Sequence, residues 1–213
     1  MNYRFHNEVS FQVNTISLKG ELTLPQETNA IVVFSHGSGS SRFSKRNRMV
    51  ANYLNEKNFG TLLFDLLTEE EDQDYYNRFD IELLTKRLAG AVEWLEKFPA
   101  AKECRIGFFG ASTGAASALQ AAAGLPQIGA VVSRGGRPDL AMKHLARVKA
   151  PTLLIVGSLD HEVLEMNREA YKQLTCEKKL EVVEGATHLF EEPGKMEIVS
   201  ELAGNWFEKY LMA

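Results

Sequence analysis

A chain of 213 residues, 45% hydrophobic and 24% charged, can bury a sizeable core and has the composition of an ordinary globular protein. Its formal net charge of -4 offers no bulk attraction to nucleic acid or to a membrane surface. No apolar run approaches bilayer-spanning length, and the opening "MNYRFHNEVSFQVN" lacks the apolar core of a signal peptide. Cys104 and Cys176 show no metal-ligand spacing and read as reduced, incidental thiols, so the expectation is a cytoplasmic enzyme or binding protein.

The chain opens on an alternation. Val9, Phe11 and Val13, then Ile16, Leu18, Leu22 and Leu24 after a turn at Asn14-Thr15, predict an antiparallel hairpin with one buried face. The pattern then changes to short, continuous apolar runs: "AIVVFSHG", "TLLFDL", "RIGFFG", "IGAVVS", "TLLIVGS" and "LEVVEG". Continuous apolarity marks strands covered on both faces, as in a mainly parallel sheet. Helical segments fall between them, near 44–57, 80–98, 112–123, 138–148, 165–174 and 195–211. The clearest carries Ile81, Leu84, Leu88, Val92 and Leu95 on one face, with Asp80 placed as its N-cap. No repeat, low-complexity segment or linker interrupts the series. Residues 1–213 are therefore expected to form a single domain: a doubly wound, mainly parallel α/β sheet with an antiparallel N-terminal hairpin and helices on both faces. In such sheets, function gathers at the carboxyl ends of the strands.

After "RIGFF" the chain reads Gly110-Ala111-Ser112-Thr113-Gly114, a G-x-S-x-G between a predicted strand and a predicted helix. A serine nucleophile on a sharp strand-to-helix turn needs small neighbours, because strand and helix cross closely there. The competing reading makes Ser112 an ordinary helix cap. A serine hydroxyl also needs a base. His188, in "LEVVEGATHLF", follows the last predicted strand. His6 lies before the first strand and His144 between two later ones, both as surface or packing residues, while His161 directly follows an acidic residue. The acid that orients the imidazole is Asp160, in "LLIVGSLDHEV", just past a strand end. Its rival Asp139, in "RPDL", more plausibly caps the following helix. The order Ser, Asp, His suits this architecture. For the developing oxyanion, the backbone N–H of Thr113 is one donor, and "HGSGSS" after an early strand places the N–H of Ser38 as the second. His36 then fixes that loop.

With these residues in place, the chain resembles the α/β-hydrolase superfamily, and within it the small, lidless dienelactone-hydrolase-like group. The resemblance runs from "HGSGSS" through "GASTGAA" and "GSLD" to "GATHLF". It implies Ser112 as nucleophile, Asp160 as acid and His188 as base. Dienelactone hydrolases proper use cysteine as nucleophile. The serine here points to general ester or thioester hydrolysis rather than lactone opening, with no metal or organic cofactor. There is little room for a cap domain, so the 134–149 connection and the 68–77 loop are the candidates to cover the site.

Substrate clues are fewer. "SRFSKRNR" sets Arg42, Lys45, Arg46 and Arg48 after the proposed oxyanion loop, where cations oppose a helix N-terminal dipole. Two readings stand. One is a solvated helix face balanced by Glu69, Glu70, Glu71 and Asp72. The other is an anionic substrate, a carboxylate- or phosphate-bearing ester anchored by Arg42 or by Arg134 in "VVSRGGRP". Two rivals to the hydrolase also remain: a non-catalytic small-molecule-binding module on the same fold, and a phosphate-binding protein using "HGSGSS". The second lacks both a Walker lysine and G-x-G-x-x-G.

Overall fold

A computed structural model describes residues 2–212. The N-terminal alternation folds into β1 (Tyr3–Val13) and β2 (Ile16–Pro25), antiparallel, with Phe11 opposite Leu18 and Val13 opposite Ile16. Asn14 turns the chain at a φ of 56°, a left-handed conformation that asparagine tolerates. The period of two sends Phe11, Val13, Leu18, Leu22 and Leu24 into the core. There the Phe11 ring stacks on Trp94 at 4.8 Å and meets Phe64 at 5.6 Å. His6 lies inside β1 rather than before it, with its Nδ1 2.9 Å from Thr23 Oγ1.

The remaining strands are β3 (Ala30–Ser35), β4 (Gly60–Phe64), β5 (Arg105–Ala111), β6 (Ile128–Arg134), β7 (Thr152–Gly157) and β8 (Lys178–Val183). Together they form one eight-stranded sheet in the order β1-β2-β4-β3-β5-β6-β7-β8. Pairing is parallel from β4 to β8, and the hairpin joins antiparallel through β2 and β4. Every residue of β3, β4 and β7 is buried, as continuous apolar runs require when both faces are covered. Helices α1 (Lys45–Glu56) and α5 (Lys195–Leu211) cover Val32, Phe34, Phe109 and Val132 on one face. On the other, α2 (Ile81–Leu95) and α3 (Thr113–Gly124) cover Ile31, Val33, Phe108 and Val131, and α4 (His161–Gln173) contributes Ala170. The chain leaves β3 towards β4 on one side and returns at β5 on the other. The topological switch point therefore lies between β3 and β5, where their carboxyl-end loops part and leave a crevice.

Three local expectations are corrected. The segment read as a helix over 138–148 is instead a run of 3₁₀ turns, Pro138–Arg147, with short bonds such as Leu140 N–H to Arg137 carbonyl and Val148 N–H to Leu145 carbonyl. The tighter winding rises about 2.0 Å per residue, which stretches the connection while Pro138, Ala141 and Leu145 stay buried. Asp139 caps nothing there; its carboxylate takes Nε and Nη2 of Arg137 at 2.9 and 2.8 Å. Helix α4 begins at His161 rather than 165, with Asp160 itself in the N-cap position. The cap predicted for α2 is present, Asp80 Oδ1 accepting from Leu83 N–H at 3.0 Å.

Candidate active site

Ser112 ends β5 and begins α3 at φ 51° and ψ -121°. A side chain in that region costs about 1–3 kcal/mol and persists only where its surroundings impose it. Here the surroundings do. Its N–H donates to Arg134 carbonyl at 3.2 Å, and its carbonyl accepts from Arg137 N–H at 3.0 Å and Ala115 N–H at 3.1 Å. The motif glycines are sterically required: a Cβ on Gly114 would lie 2.1 Å from Ser35 carbonyl oxygen, and one on Gly110 would lie 2.4 Å from Ala115 Cα. Although Ser112 occupies the N-cap position, its side chain makes no capping bond. The cap reading of this serine therefore fails, and its hydroxyl is not committed to the helix.

Asp160 and His188 arrive from the ends of β7 and β8. Asp160 sits at the α4 N-cap without capping it, and its Oδ2 instead stands 2.6 Å from His188 Nδ1. With the proton on Nδ1 donated to that carboxylate, Nε2 is left as the acceptor. The histidine loop is tied down independently. Leu159 N–H donates to Ala186 carbonyl at 3.0 Å, Gly185 N–H to Ser158 Oγ at 2.8 Å, and Thr187 Oγ1 to Glu192 at 2.6 Å. The imidazole lies over Gly135, whose added Cβ would come 3.6 Å from His188 Cε1. Gly135 directly follows the Arg134 carbonyl that receives the Ser112 amide, so the serine backbone and the imidazole each pack against the same short turn of chain.

The loop after β3 packs against this turn; a Cβ on Gly37 would lie 3.1 Å from Ser112 Cβ. His36 fixes the loop as expected. Its Nδ1 donates to Gly37 carbonyl at 3.0 Å while Nε2 accepts from Leu66 N–H at 3.2 Å, and burial pushes its pKa below the ordinary histidine value. The two residues expected to supply the oxyanion donors, Ser38 and Thr113, are joined directly. Ser38 N–H is engaged, donating to Thr113 Oγ1 at 2.9 Å. The Thr113 N–H stands at the first helical position, where α-helices leave amides without an intrahelical acceptor.

The two arginines differ sharply. Arg42 pairs with Asp65 through both its side chain and its amide, the latter at 2.8 Å, and reaches Glu8 at 3.4 Å. It borders a cavity of about 670 Å³ that also touches Leu18, His36 and Leu67 but none of Ser112, Asp160 or His188. The acidic run does not balance the basic one: Glu69 pairs with Lys19, Glu71 with Arg87 and Asp72 with Arg78, while Arg46 pairs with Glu191 and Arg48 with Glu21. Arg134 is 4% exposed and forms no ion pair among the described residues. Its Nη2 reaches Asn47 Oδ1 at 3.4 Å, its Nε is buried without a partner, and its guanidinium faces the Phe190 ring at 5.9 Å. Burial first, and the nearby Arg46 charge second, bring its pKa down to about 10.

Residues outside the motifs complete the site. Ser117 Oγ lies 2.8 Å from Ser35 Oγ and donates to Gly114 carbonyl at 3.0 Å, tying β3 to the start of α3. Asn167 Nδ2 donates to Gly136 carbonyl at 3.0 Å and holds the turn beneath Ser112 and His188. Ser117 carried a signal, a hydroxyl inside an alanine-rich helix start. Asn167 carried none.

Residues 18–210 match the family model described as the dienelactone hydrolase family. A solved structure of a dienelactone hydrolase from Anabaena variabilis is 50% identical, superposes with a TM-score of 0.95, and is matched over 99% of this chain and 100% of its own. Est1E from Butyrivibrio proteoclasticus shares the fold, with a TM-score of 0.83 at 16% identity over 97% of this chain and 99% of its own. A Mycobacterium tuberculosis protein named "Putative phosphoribosyl transferase" is 53% identical over 206 residues, which is 96% of this chain but 46% of that protein. The chain thus spans about half the length of that relative.

Proposed function

This chain belongs to the dienelactone hydrolase family, and on that premise we propose that it is a serine hydrolase cleaving a small ester or thioester through an acyl-enzyme. The observation that carries the reading is Ser112, held at a strained, positive φ with its hydroxyl uncommitted, on the same 134–135 turn that a histidine oriented by a carboxylate packs against. In this reading Ser112 Oγ attacks the substrate carbonyl carbon as His188 Nε2 takes its proton. The Nδ1–H bond to Asp160 holds the required tautomer and stabilises the imidazolium. Thr113 N–H holds the oxyanion. His188 then protonates the leaving group, and water, deprotonated by the same nitrogen, releases the acid. The test is labelling by a fluorophosphonate and turnover of short p-nitrophenyl esters, beside S112A. Labelling and turnover that both vanish in S112A support the reading. An unlabelled wild-type protein with no Ser112-dependent turnover replaces it with a binding role.

The substrate reading is an anion-bearing ester, and Arg134 rather than Arg42 is its anchor. Arg42 is already neutralised by two carboxylates. Arg134 holds a buried charge with no carboxylate partner among the described residues, on the strand end whose carbonyl receives the Ser112 amide; a buried unpaired charge costs folding free energy, and a bound anion would offset it. R134M is expected to erase a kcat/KM preference for an anionic ester over its matched neutral ester. Equal kcat/KM for the two esters on the wild-type protein would sink this part of the reading and leave the hydrolase intact.

A further inference from the structure

We propose that Asn167 is a positioning residue that sets the reach between His188 and Ser112; the inference rests on the serine-hydrolase reading above. Asn167 stands seven positions after Asp160, two turns along α4, so the two share one face of the helix about 10 Å apart along its axis. From one end of that face Asp160 holds the imidazole, its Oδ2 2.6 Å from His188 Nδ1. From the other, Asn167 Nδ2 donates to Gly136 carbonyl at 3.0 Å and to Val163 carbonyl of its own helix at 2.8 Å. The Asn167 side chain is fully buried, and its Oδ1 has no partner among the described residues. A leucine there would avoid leaving a buried acceptor unmet. What the amide adds is the bond to Gly136.

That bond closes a circuit. Gly136 belongs to the turn whose Arg134 carbonyl receives the Ser112 N–H at 3.2 Å and whose Arg137 N–H donates to the Ser112 carbonyl at 3.0 Å. The imidazole packs on the same turn at Gly135, where an added Cβ would come 3.6 Å from His188 Cε1. Gly135 N–H donates to Ile155 carbonyl at 2.8 Å, which ties the start of the turn to β7. The later half is held by Asn167 and is crowded on another side: a Cβ added to Gly136 would stand 2.0 Å from Ser133 Oγ and 2.7 Å from Ala115 Cβ. Asn167 thus fastens the turn that supports Ser112 to the helix that begins at Asp160, and neither of its bonds goes to a reacting group. General-base catalysis needs His188 Nε2 within hydrogen-bond reach of Ser112 Oγ. A displacement of about 1 Å in such an arrangement costs on the order of 10²-fold in rate. Cutting the Gly136 bond loosens the half of the turn that ends in the Arg137 N–H, and the serine with it.

The test compares wild type, N167L and N167A by the rate and end-point of fluorophosphonate labelling and by kcat and KM on one p-nitrophenyl ester. The far-downfield proton resonance of the His188–Asp160 bond is recorded alongside. Leucine keeps the volume, and alanine is the smaller replacement in case leucine overpacks. The labelling end-point counts competent folded sites, while the rate reports how well histidine and serine are aligned. Both variants are expected to reach the wild-type end-point about 10²-fold more slowly, and to lose about 10²-fold in kcat with KM little changed. The downfield resonance stays, because the Asp160 bond is left intact. A merely structural asparagine would lower the end-point and Tm while each surviving site kept the wild-type rate, and that result overturns the proposal. So does loss of the downfield resonance, which would put the effect in the Asp160–His188 pair, and so does a change confined to KM. A wild-type protein that fails to label or turn over is a different result, which removes the hydrolase reading and this proposal with it.

Discussion

Replacing Ser112 with glycine and with alanine separates what the backbone needs at this position from what the chemistry needs. Both substitutions delete the hydroxyl, so both should abolish turnover. They differ in the φ of 51° that the Arg134 and Arg137 backbone bonds impose. Alanine keeps the Cβ and its strain, about 1–3 kcal/mol. Glycine removes that strain but gives the unfolded chain more freedom, which costs about 0.4–1 kcal/mol. The difference leaves S112G more stable than S112A by about 1–2 kcal/mol, or roughly 2–8 °C in Tm for a domain of this size. Urea unfolding of the two variants, with thermal melts alongside, measures it directly. At an unstrained position the order reverses, and glycine is the less stable. S112G melting below S112A would refute the claim that this turn stores strain.

Other outcomes follow from the same geometry. D160N puts a carboxamide opposite His188 Nδ1, so the imidazole loses the partner that fixes its tautomer and stabilises its charge. The expected loss in kcat is roughly 10³–10⁴-fold, on the scale of the serine-protease aspartate change, with Tm changed far less; a loss under tenfold would remove Asp160 from the mechanism. His36 is held neutral by burial, its pKa lowered from 6.5. The unfolded state therefore binds a proton near pH 6.5 that the folded state resists, and stability rises with pH across the window below 6.5 and levels off above it. Melting curves from pH 7.5 down to pH 5 (roughly the range in which a histidine titrates) should show that loss, and H36Q should flatten its share of it. An unchanged pH slope in H36Q would show that other groups carry the acid sensitivity.

What the sequence carried can be judged residue by residue. The sheet was legible because burial on both faces writes itself as unbroken apolar runs, and the hairpin because one-sided burial writes itself as alternation. Gly110 and Gly114 were legible because backbone crowding admits no other residue there. Asp160 and His188 were legible by position, each just beyond a strand that ends at the same edge of the sheet. The failures have a common cause. The 3₁₀ winding of Pro138–Arg147 keeps the apolar spacing of a helix, so periodicity could not tell the two apart. Arg42 and Arg134 look alike in sequence, yet only the folded chain decides that one meets Asp65 and Glu8 while the other meets no carboxylate among the described residues. The partner of the Ser38 amide is the threonine after the nucleophile, a pairing across 75 positions that no local pattern announces.

The contact between Gly114 and the Ser35 carbonyl divides this site into a part that can be redesigned and a part that cannot. An added Cβ there would stand 2.1 Å from backbone oxygen, so the loops after β3 and β5 pack too closely to admit any side chain at position 114. The stretch from Thr68 to Phe79 exposes Tyr75 and Tyr76, is braced internally by the Asp72–Arg78 pair and is tied to α2 by the Glu71–Arg87 pair. That stretch is where an engineer seeking a new substrate range would place a library.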